Sequence, residues 1–575
     1  MKFLIKYIKN YWKLFIAAVI FLTIEALCDL MQPTIMAKII DIGVANKQMD
    51  YVMNKGLIML LITAVGAAAA CGRNILSNYV SQKFSAELRL DLFKKIQSFS
   101  FNNLDKFKGA SLVTRLTNDV TQLQNFCNGL MRIFVKAPLV CIGSIIMAAK
   151  LNPHMSLVLV VVVPIVIIFI FANMQIGYPF FIKVQKALDR VNTVMREYLS
   201  GVRVVKAFNR FDYEIKRFEG ANGELGLAST NAMRLMSVFS PSIRLTVNLG
   251  IVAVIWIGGF RVNNGNMYVG QVIAFINYMT QILFSLMMIS FVFTVFVRAR
   301  ASAERIGEVF MEKNERNDSG TIKINAKTKG RVDFEKVYFS YAASKGEPII
   351  KNVTFSCMPG ETIGIIGATG AGKTSLVNLI PSFYNVTSGA VKVDGIDVNH
   401  IDLKNLREKI AIVPQKSILF TGTVKDNILW GKENASDEEI RNAAIMAEAH
   451  DFISSFPEGY ETKIGQGGVN FSGGQKQRIS IARALIKKPD ILILDDCTSA
   501  VDAATEAKIR LSLKKYFKNL TCFIIAQRIT SVMEADKIIV MDNGEIAGIG
   551  KHEHLMKSCN IYKEIFYSQI GKEVV

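Results

Sequence analysis

Glycine, lysine and threonine stand at a spacing suited to gripping a polyphosphate in the run Gly367-Ala368-Thr369-Gly370-Ala371-Gly372-Lys373-Thr374-Ser375. Glycines let consecutive backbone N–H groups wrap around phosphate oxygens, and the N-terminus of the helix that follows adds favourable potential. Lys373 is placed to reach the β- and γ-phosphates, and the Thr374 hydroxyl is placed to hold Mg²⁺. A functionless glycine-rich turn is the competing reading, but an apolar strand before the loop and a helix after it give the order that phosphate binding requires. Further on, Ile491-Leu492-Ile493-Leu494 runs into Asp495. A carboxylate at the end of such a buried strand is the second element that organises Mg²⁺ beside a phosphate loop.

Those residues need a sheet to hold them. Strand-like segments at 361–366, 410–413, 491–495 and 521–525 alternate with helical patterns, which is the signature of an α/β domain. Before them lies the polar stretch 312–330. The expected division is therefore residues 1–315, a linker at 316–330, and an α/β domain at 331–575.

The first part has a different character. At 575 residues, 51% of them hydrophobic and with mean hydropathy +0.29, the chain is too long for one core and too apolar for a disordered protein. Six stretches are apolar enough to span a bilayer, at roughly 14–37, 57–80, 131–150, 155–173, 239–260 and 270–297. Residues 1–316 hold 35 Lys and Arg against 18 Asp and Glu, whereas the remainder is nearly balanced at 33 against 30. The net charge of +20 thus sits beside the spans, where cytoplasmic loops and anionic headgroups account for it, and nucleic acid is not an expected partner. Positive-inside counting puts both termini and the long connections 81–130 and 174–238 in the cytoplasm, the connections as helices running on beyond the bilayer. Met1 to Thr23 imitates a signal peptide but offers no clear cleavage site, and reads as a retained first span.

Glu25 and Asp29, Arg73, Arg132, Lys136 and Arg244 are ionisable residues inside spans, and two readings of the acidic pair stand. They line a polar cavity for cationic or amphipathic cargo, or they form structural ion pairs with the basic residues. Phe284, Leu286, Met287, Met288, Phe291 and Phe293 of the sixth span are likewise either an adaptable cavity wall or packing surface. The eight cysteines show neither a CxxC pair nor metal-ligand spacing, so no disulfide framework is expected. His552 and His554 lie in a polar stretch and read as solvated, with no metal role beyond Mg²⁺ expected for any histidine.

Between the phosphate loop and Asp495 stands Phe471-Ser472-Gly473-Gly474-Gln475, which resembles the signature sequence of ATP-binding cassette (ABC) proteins. The resemblance extends to Tyr341 at the position of the aromatic residue that stacks on adenine, to Gln415 at the Q-loop glutamine, and to Ser499-Ala500-Val501-Asp502 at the D-loop. With six spans ahead of one cassette, the whole chain resembles an exporter-type half-transporter, a membrane α-helical bundle joined to an α/β P-loop NTPase. It implies ATP and Mg²⁺ as ligands, with Thr374, Asp495 and Gln415 at the metal. Two cassettes would sandwich two ATP molecules head to tail, each P-loop facing the other chain's Ser472–Gln475 equivalent. Phe101 to Val120 and Gly201 to Phe218 resemble the two intracellular loops, so that about 105–114 and 211–215 are the expected coupling helices.

Two departures stand out. Where the family usually has the glutamate that acts on the attacking water, this chain has Asp496, retracted by one methylene, about 1.5 Å. At the switch histidine it has Gln527, which can donate a hydrogen bond but carries no charge. Both fall on the same composite site, and the signature is intact. That pattern resembles the degenerate-site subunit of bacterial heterodimeric multidrug exporters. It implies a partner half-transporter, a plasma-membrane location in a bacterial cell, and a hydrophobic or amphipathic cargo such as a drug or lipid. A homodimer with two slow sites, or an ATP-gated channel or sensor on the same frame, remains the alternative. Six spans argue against a soluble ABC protein of translation.

Overall fold

A computed structural model describes residues 6–7, 9–313, 329–341, 347–516 and 519–571. Of the expected linker, residues 316–328 lie outside the described residues. The chain divides into two compact units, Met1–Gln97 with Ala110–Met311, and Ser98–Gly109 with Glu312–Val575.

In chain order the helices of the first 311 residues are α1 (Trp12–Lys38), α2 (Met49–Gln97), α3 (Phe101–Phe107), α4 (Gly109–Leu151), α5 (Ser156–Ala207), α6 (Phe211–Asn263) and α7 (Val269–Met311). All but the short α3 are long and apolar enough to cross a membrane, giving six spans where the sequence placed six. Several overshoot it. At about 1.5 Å per residue α2 runs for about 75 Å, against a hydrocarbon core of about 30 Å, and the polar connections expected to be helical are largely extensions of the spans, broken at 98–100, 108 and 208–210. What keeps α2 packed beyond its apolar part is a stripe repeating every four residues, Val80, Phe84, Leu88 and Leu92, all buried, beside the buried small residues Ser77, Ser81 and Ser85.

The acidic pair of the first span divides between its two readings. Glu25 accepts Arg73 Nε at 2.7 Å and Lys136 Nζ at 2.6 Å and is buried, so it is a structural ion-pair centre. Asp29 meets Lys136 at 3.0 Å and lines a cavity of about 250 Å³ together with Phe284 and Met288 of α7. Other members of the sixth-span stripe, Met287, Phe291 and Phe293, are exposed on the single chain, whereas Leu286 is buried.

In the second unit the six-stranded sheet is ordered β12-β11-β3-β10-β9-β6, from β3 (Thr362–Gly367), β6 (Ile410–Val413), β9 (Ile491–Asp495), β10 (Thr521–Ile525), β11 (Lys537–Asp542) and β12 (Glu545–Gly550). The four segments read as strands from the sequence are adjacent parallel strands of it, with β6 at the edge, and β11 continues the parallel run beyond β3. Alternate residues feed two cores. Ile491, Ile493, Phe523 and Ile525 face one, with Leu492, Leu494, Cys522 and Ile524 in the other, which is why these strands are apolar throughout rather than alternating. A second sheet is ordered β2-β1-β4-β5, from β1 (Val332–Phe339), β2 (Ile350–Cys357), β4 (Ser388–Val393) and β5 (Ile396–Asp397). The pair β7 (Gly422–Thr423) and β8 (Lys463–Ile464) completes the strands. All eight cysteines are free thiols. His552, read as solvated, is instead half-buried: its Nδ1 is 2.8 Å from the Tyr562 hydroxyl and its ring packs on Tyr562 and Phe566.

Candidate active site

Parallel strands expose the N-termini of their following segments along one edge, and four neighbours here, β3-β10-β9-β6, each hand over to a predicted site residue. After β3 comes the phosphate loop, after β10 Gln527, after β9 Asp496, and after β6 Gln415. Strand order therefore gathers residues that lie up to 160 positions apart.

The loop is built as the motif requires. At Gly367 a Cβ would collide with the Met541 carbonyl oxygen, and at Gly372, with φ 92°, it would stand 2.8 Å from Ile350 Cδ1. Only glycine fits either place. Lys373 opens helix α8 (Lys373–Asn378) and donates its Nζ to the Gly367 and Ala368 carbonyls, both at 2.8 Å. Burial lowers its pKa, against the pull of Asp496 and Asp495. Thr374 donates Oγ1 to Asp495 Oδ1 at 2.9 Å. Burial raises the Asp495 pKa, partly offset by that bond. A hydroxyl and a carboxylate thus converge beside the loop, and a divalent cation would restore the charged carboxylate that burial disfavours. The residues fit Mg²⁺ on a nucleotide.

Asp496 is the centre of a different arrangement. It is buried, has φ 46°, and its Oδ2 accepts Gln527 Nε2 at 2.7 Å and Gln415 Nε2 at 3.1 Å. Gln415, which the resemblance placed at the metal, thus donates to this carboxylate. Sequence reading did not anticipate the support behind Gln527: Gln569 Nε2 donates to its carbonyl at 2.8 Å, and Gln569 Oε1 accepts Ile529 N at 2.8 Å.

The signature segment opens helix α9 (Gly473–Leu485). Ser472 caps it, its Oγ accepting Gln475 N at 3.3 Å while Gln475 Oε1 accepts Ser472 N at 2.9 Å. A Cβ at Gly474 would lie 2.8 Å from the Ala500 carbonyl oxygen, so the helix start rests against the 499–502 turn. Gln477, another residue missed from the sequence, accepts Ala500 N at 3.0 Å and donates to Ser499, whose hydroxyl donates to the Asp496 carbonyl at 3.1 Å. Asp502 accepts Thr505 N at 2.9 Å, capping helix α10 (Ala503–Tyr516). Among the described residues no hydrogen bond joins Ser472–Gln475 to the phosphate loop.

Tyr341 sits between the loop and α3. Its hydroxyl is 3.0 Å from Ser375 Oγ and its ring meets Tyr384 edge-on at 5.0 Å. Tyr384 donates to Asp105 of α3 at 2.9 Å, and Phe101 packs on Phe383 at 4.5 Å. The helix that packs here is thus Phe101–Phe107 rather than 105–114, because Lys108, with φ 54°, ends it. A capping box of Ser100 and Asn103 starts it, a signal the sequence carried. The second expected coupling segment, 211–215, is the first turn of α6, where Tyr213 is 61% exposed beside Phe208 at 74%.

Known proteins share this plan. Residues 15–287 match the family model of the ABC transporter transmembrane region, and 350–499 that of the ABC transporter. The chain is 42% identical over 569 residues to the ABC transporter ATP-binding protein YfiB of Bacillus subtilis (strain 168), covering 99% of this chain and 98% of that protein. It is 31% identical over 519 residues to an ATP-dependent lipid A-core flippase of Syntrophus aciditrophicus, covering 90% and 86%. A solved bacterial Atm1-family ABC exporter with ATP bound superimposes with TM-score 0.82 at 24% identity, over 98% of this chain and 99% of that one.

Proposed function

This chain belongs to the ABC transporter family, and we propose that it is one half of a heterodimeric exporter whose own P-loop holds ATP with little turnover. Its Ser472–Gln475 turn would complete the hydrolytic site of a partner half-transporter. That the chain is a multi-pass membrane protein carrying an ATPase domain is the premise; the division of labour is the proposal.

The observation that carries it is the state of Asp496. A general base must come within about 2.6–3.2 Å of the proton it takes, or act through one water. Asp496 is one methylene short, and one of its oxygens already accepts two amides, neither of which can relay a proton onward. Gln527 can donate to a phosphate without adding charge. On the binding side the chain keeps its means. Loop amides and Lys373 would hold the phosphates, Tyr341 would lie along the base, and Thr374 with Asp495 would hold Mg²⁺, which supplies charge neutralisation between phosphate oxygens. On the signature side Ser472 and Gly473 are exposed at the start of a 13-residue helix, offering its positive end outward.

Residues 1–315 would then be the transmembrane domain and 331–575 the cassette, with both termini and the cassette on the cytoplasmic side. Cargo would be a hydrophobic or amphipathic compound, an idea to which the flippase relative lends support. One observation favours the second reading, a homodimer with two slow sites: Asp496 is already gathered at the P-loop edge and could act through a water. The test is Mg²⁺-ATP turnover by the purified chain alone and after mixing with a half-transporter that carries the glutamate. ATP binding with almost no turnover alone, recovered in the mixture, is the expected result. Brisk turnover alone would sink the heterodimer.

A further inference from the structure

Two cavities of the first unit share Arg132 and Ile133 and follow one another along α7, one reaching from Arg298 to Phe291 and the other from Met288 to Gln281. At about 1.5 Å per residue this stretch of α7 covers about 25 Å. The first cavity, about 560 Å³, has Arg132 and Arg298 among the side-chain amides of residues such as Gln122, Gln124 and Asn125, and no acidic residue lines it. Neither arginine forms an ion pair among the described residues. The second, about 250 Å³, is walled by Phe284, Met288, Val140 and Ala137, and its one carboxylate, Asp29, is already met by Lys136.

Arg132 is half-buried and Arg298 exposed, and two guanidiniums at one cavity without an ion-pair partner among the described residues mark a place that an anion can occupy. Arg132 opens the third span and Arg298 closes the sixth, both at the cytoplasmic ends by the charge rule, where inner-leaflet headgroups lie. Amides and guanidiniums are the donors that planar or tetrahedral oxyanions take. The aromatic and methionine wall deeper along α7 suits an apolar chain.

We propose that these cavities form one binding site for an anionic amphiphile, its phosphate or carboxylate head between Arg132 and Arg298 and its tail along Phe284 and Met288. Resting on the exporter reading, this assigns the cargo a negative charge, in place of the cationic arm of the cationic or amphipathic cargo that one reading of Glu25 and Asp29 offered from sequence.

The test is equilibrium binding, without ATP, of fluorescent short-acyl probes differing only in head group to the full chain in neutral detergent. A phosphate-headed probe is expected to bind about tenfold more tightly than a trimethylammonium one, with a hydroxyl-headed probe between them. Arg132→Gln and Arg298→Gln should each weaken the phosphate probe about tenfold and leave the hydroxyl probe unchanged, and Arg298→Lys should restore most of the loss. Equal or tighter binding of the trimethylammonium probe overturns the proposal, as does wild-type affinity of both glutamine variants for the phosphate probe. Inorganic phosphate displacing the probe as strongly as unlabelled amphiphile would overturn the role given to the tail. Should a glutamine variant fail to fold, the head-group order on the wild type and the Arg132→Lys, Arg298→Lys pair decide. Head-group selectivity with no ATP-driven transport would count against the exporter reading alone; transport of only cationic cargo would count against the anionic site alone.

Discussion

At the P-loop edge the buried carboxylates Asp495 and Asp496 are hydrogen-bonded to the exposed Thr374, Gln415 and Gln527 beside Lys373, whereas at the start of α9 Ser472 and Gly473 face outward from a helix locked by a capping box. Both places can bind phosphate through backbone N–H groups. They differ in what is left for chemistry. On the reading proposed above, the P-loop edge would keep the parts that bind a nucleotide but give its water-activating position to a short carboxylate engaged by two amides. The signature turn needs no chemistry of its own, only an undistorted helix start, and Gln477, Ser499 and Ala500 hold that start in place. On that reading binding and hydrolysis would be separated within one chain, the site losing turnover without losing its hold on ATP.

Four substitutions press on that difference. Lys373→Ala should remove nucleotide binding at this chain's own loop and lower any hydrolysis there by about 10²–10³-fold, while the paired assembly keeps the other site; ATP binding and turnover measured on the same samples check it. On the opposite side, Gly474→Ala pushes against the Ala500 carbonyl and should cost the paired assembly about 10²-fold in turnover without changing ATP affinity at Lys373. Equal damage to both functions would mean the two places are not separable. Gln527→His should raise turnover by roughly 3–10-fold, and only where the imidazole is protonated, so the gain is full below about pH 6.5 and fades as pH rises through it. A pH-independent gain would show that a donor and not a charge was missing. Tyr384→Phe removes the bond to Asp105, worth about 1 kcal/mol, and a small drop in thermal midpoint with unchanged ATP binding is expected.

How far these places could be read beforehand depended on whether their parts lie together in the chain. Continuous apolar runs gave β3, β6, β9 and β10, and the loop glycines follow β3 directly, so the phosphate grip was legible as it stands. The clasp on Asp496 was not, because it depends on the order β3-β10-β9-β6, which no local pattern encodes. Tyr384 and Asp105, 279 positions apart, are hidden for the same reason. Glu25 and Asp29 looked alike one turn apart, yet only Asp29 lines the cavity, since Arg73 reaches Glu25 from 48 residues away. His552 looked solvated because its partners Tyr562 and Phe566 come from the following helix.

The central claim is that Asp496 limits hydrolysis at a site otherwise able to hold ATP. Steady-state Mg²⁺-ATP turnover of the chain purified alone, compared with Asp496→Glu at equal ATP occupancy, tests it most directly. A gain of about 10- to 100-fold is predicted, within the span of general-base effects. Wild-type turnover already brisk and unmoved by the glutamate would contradict it.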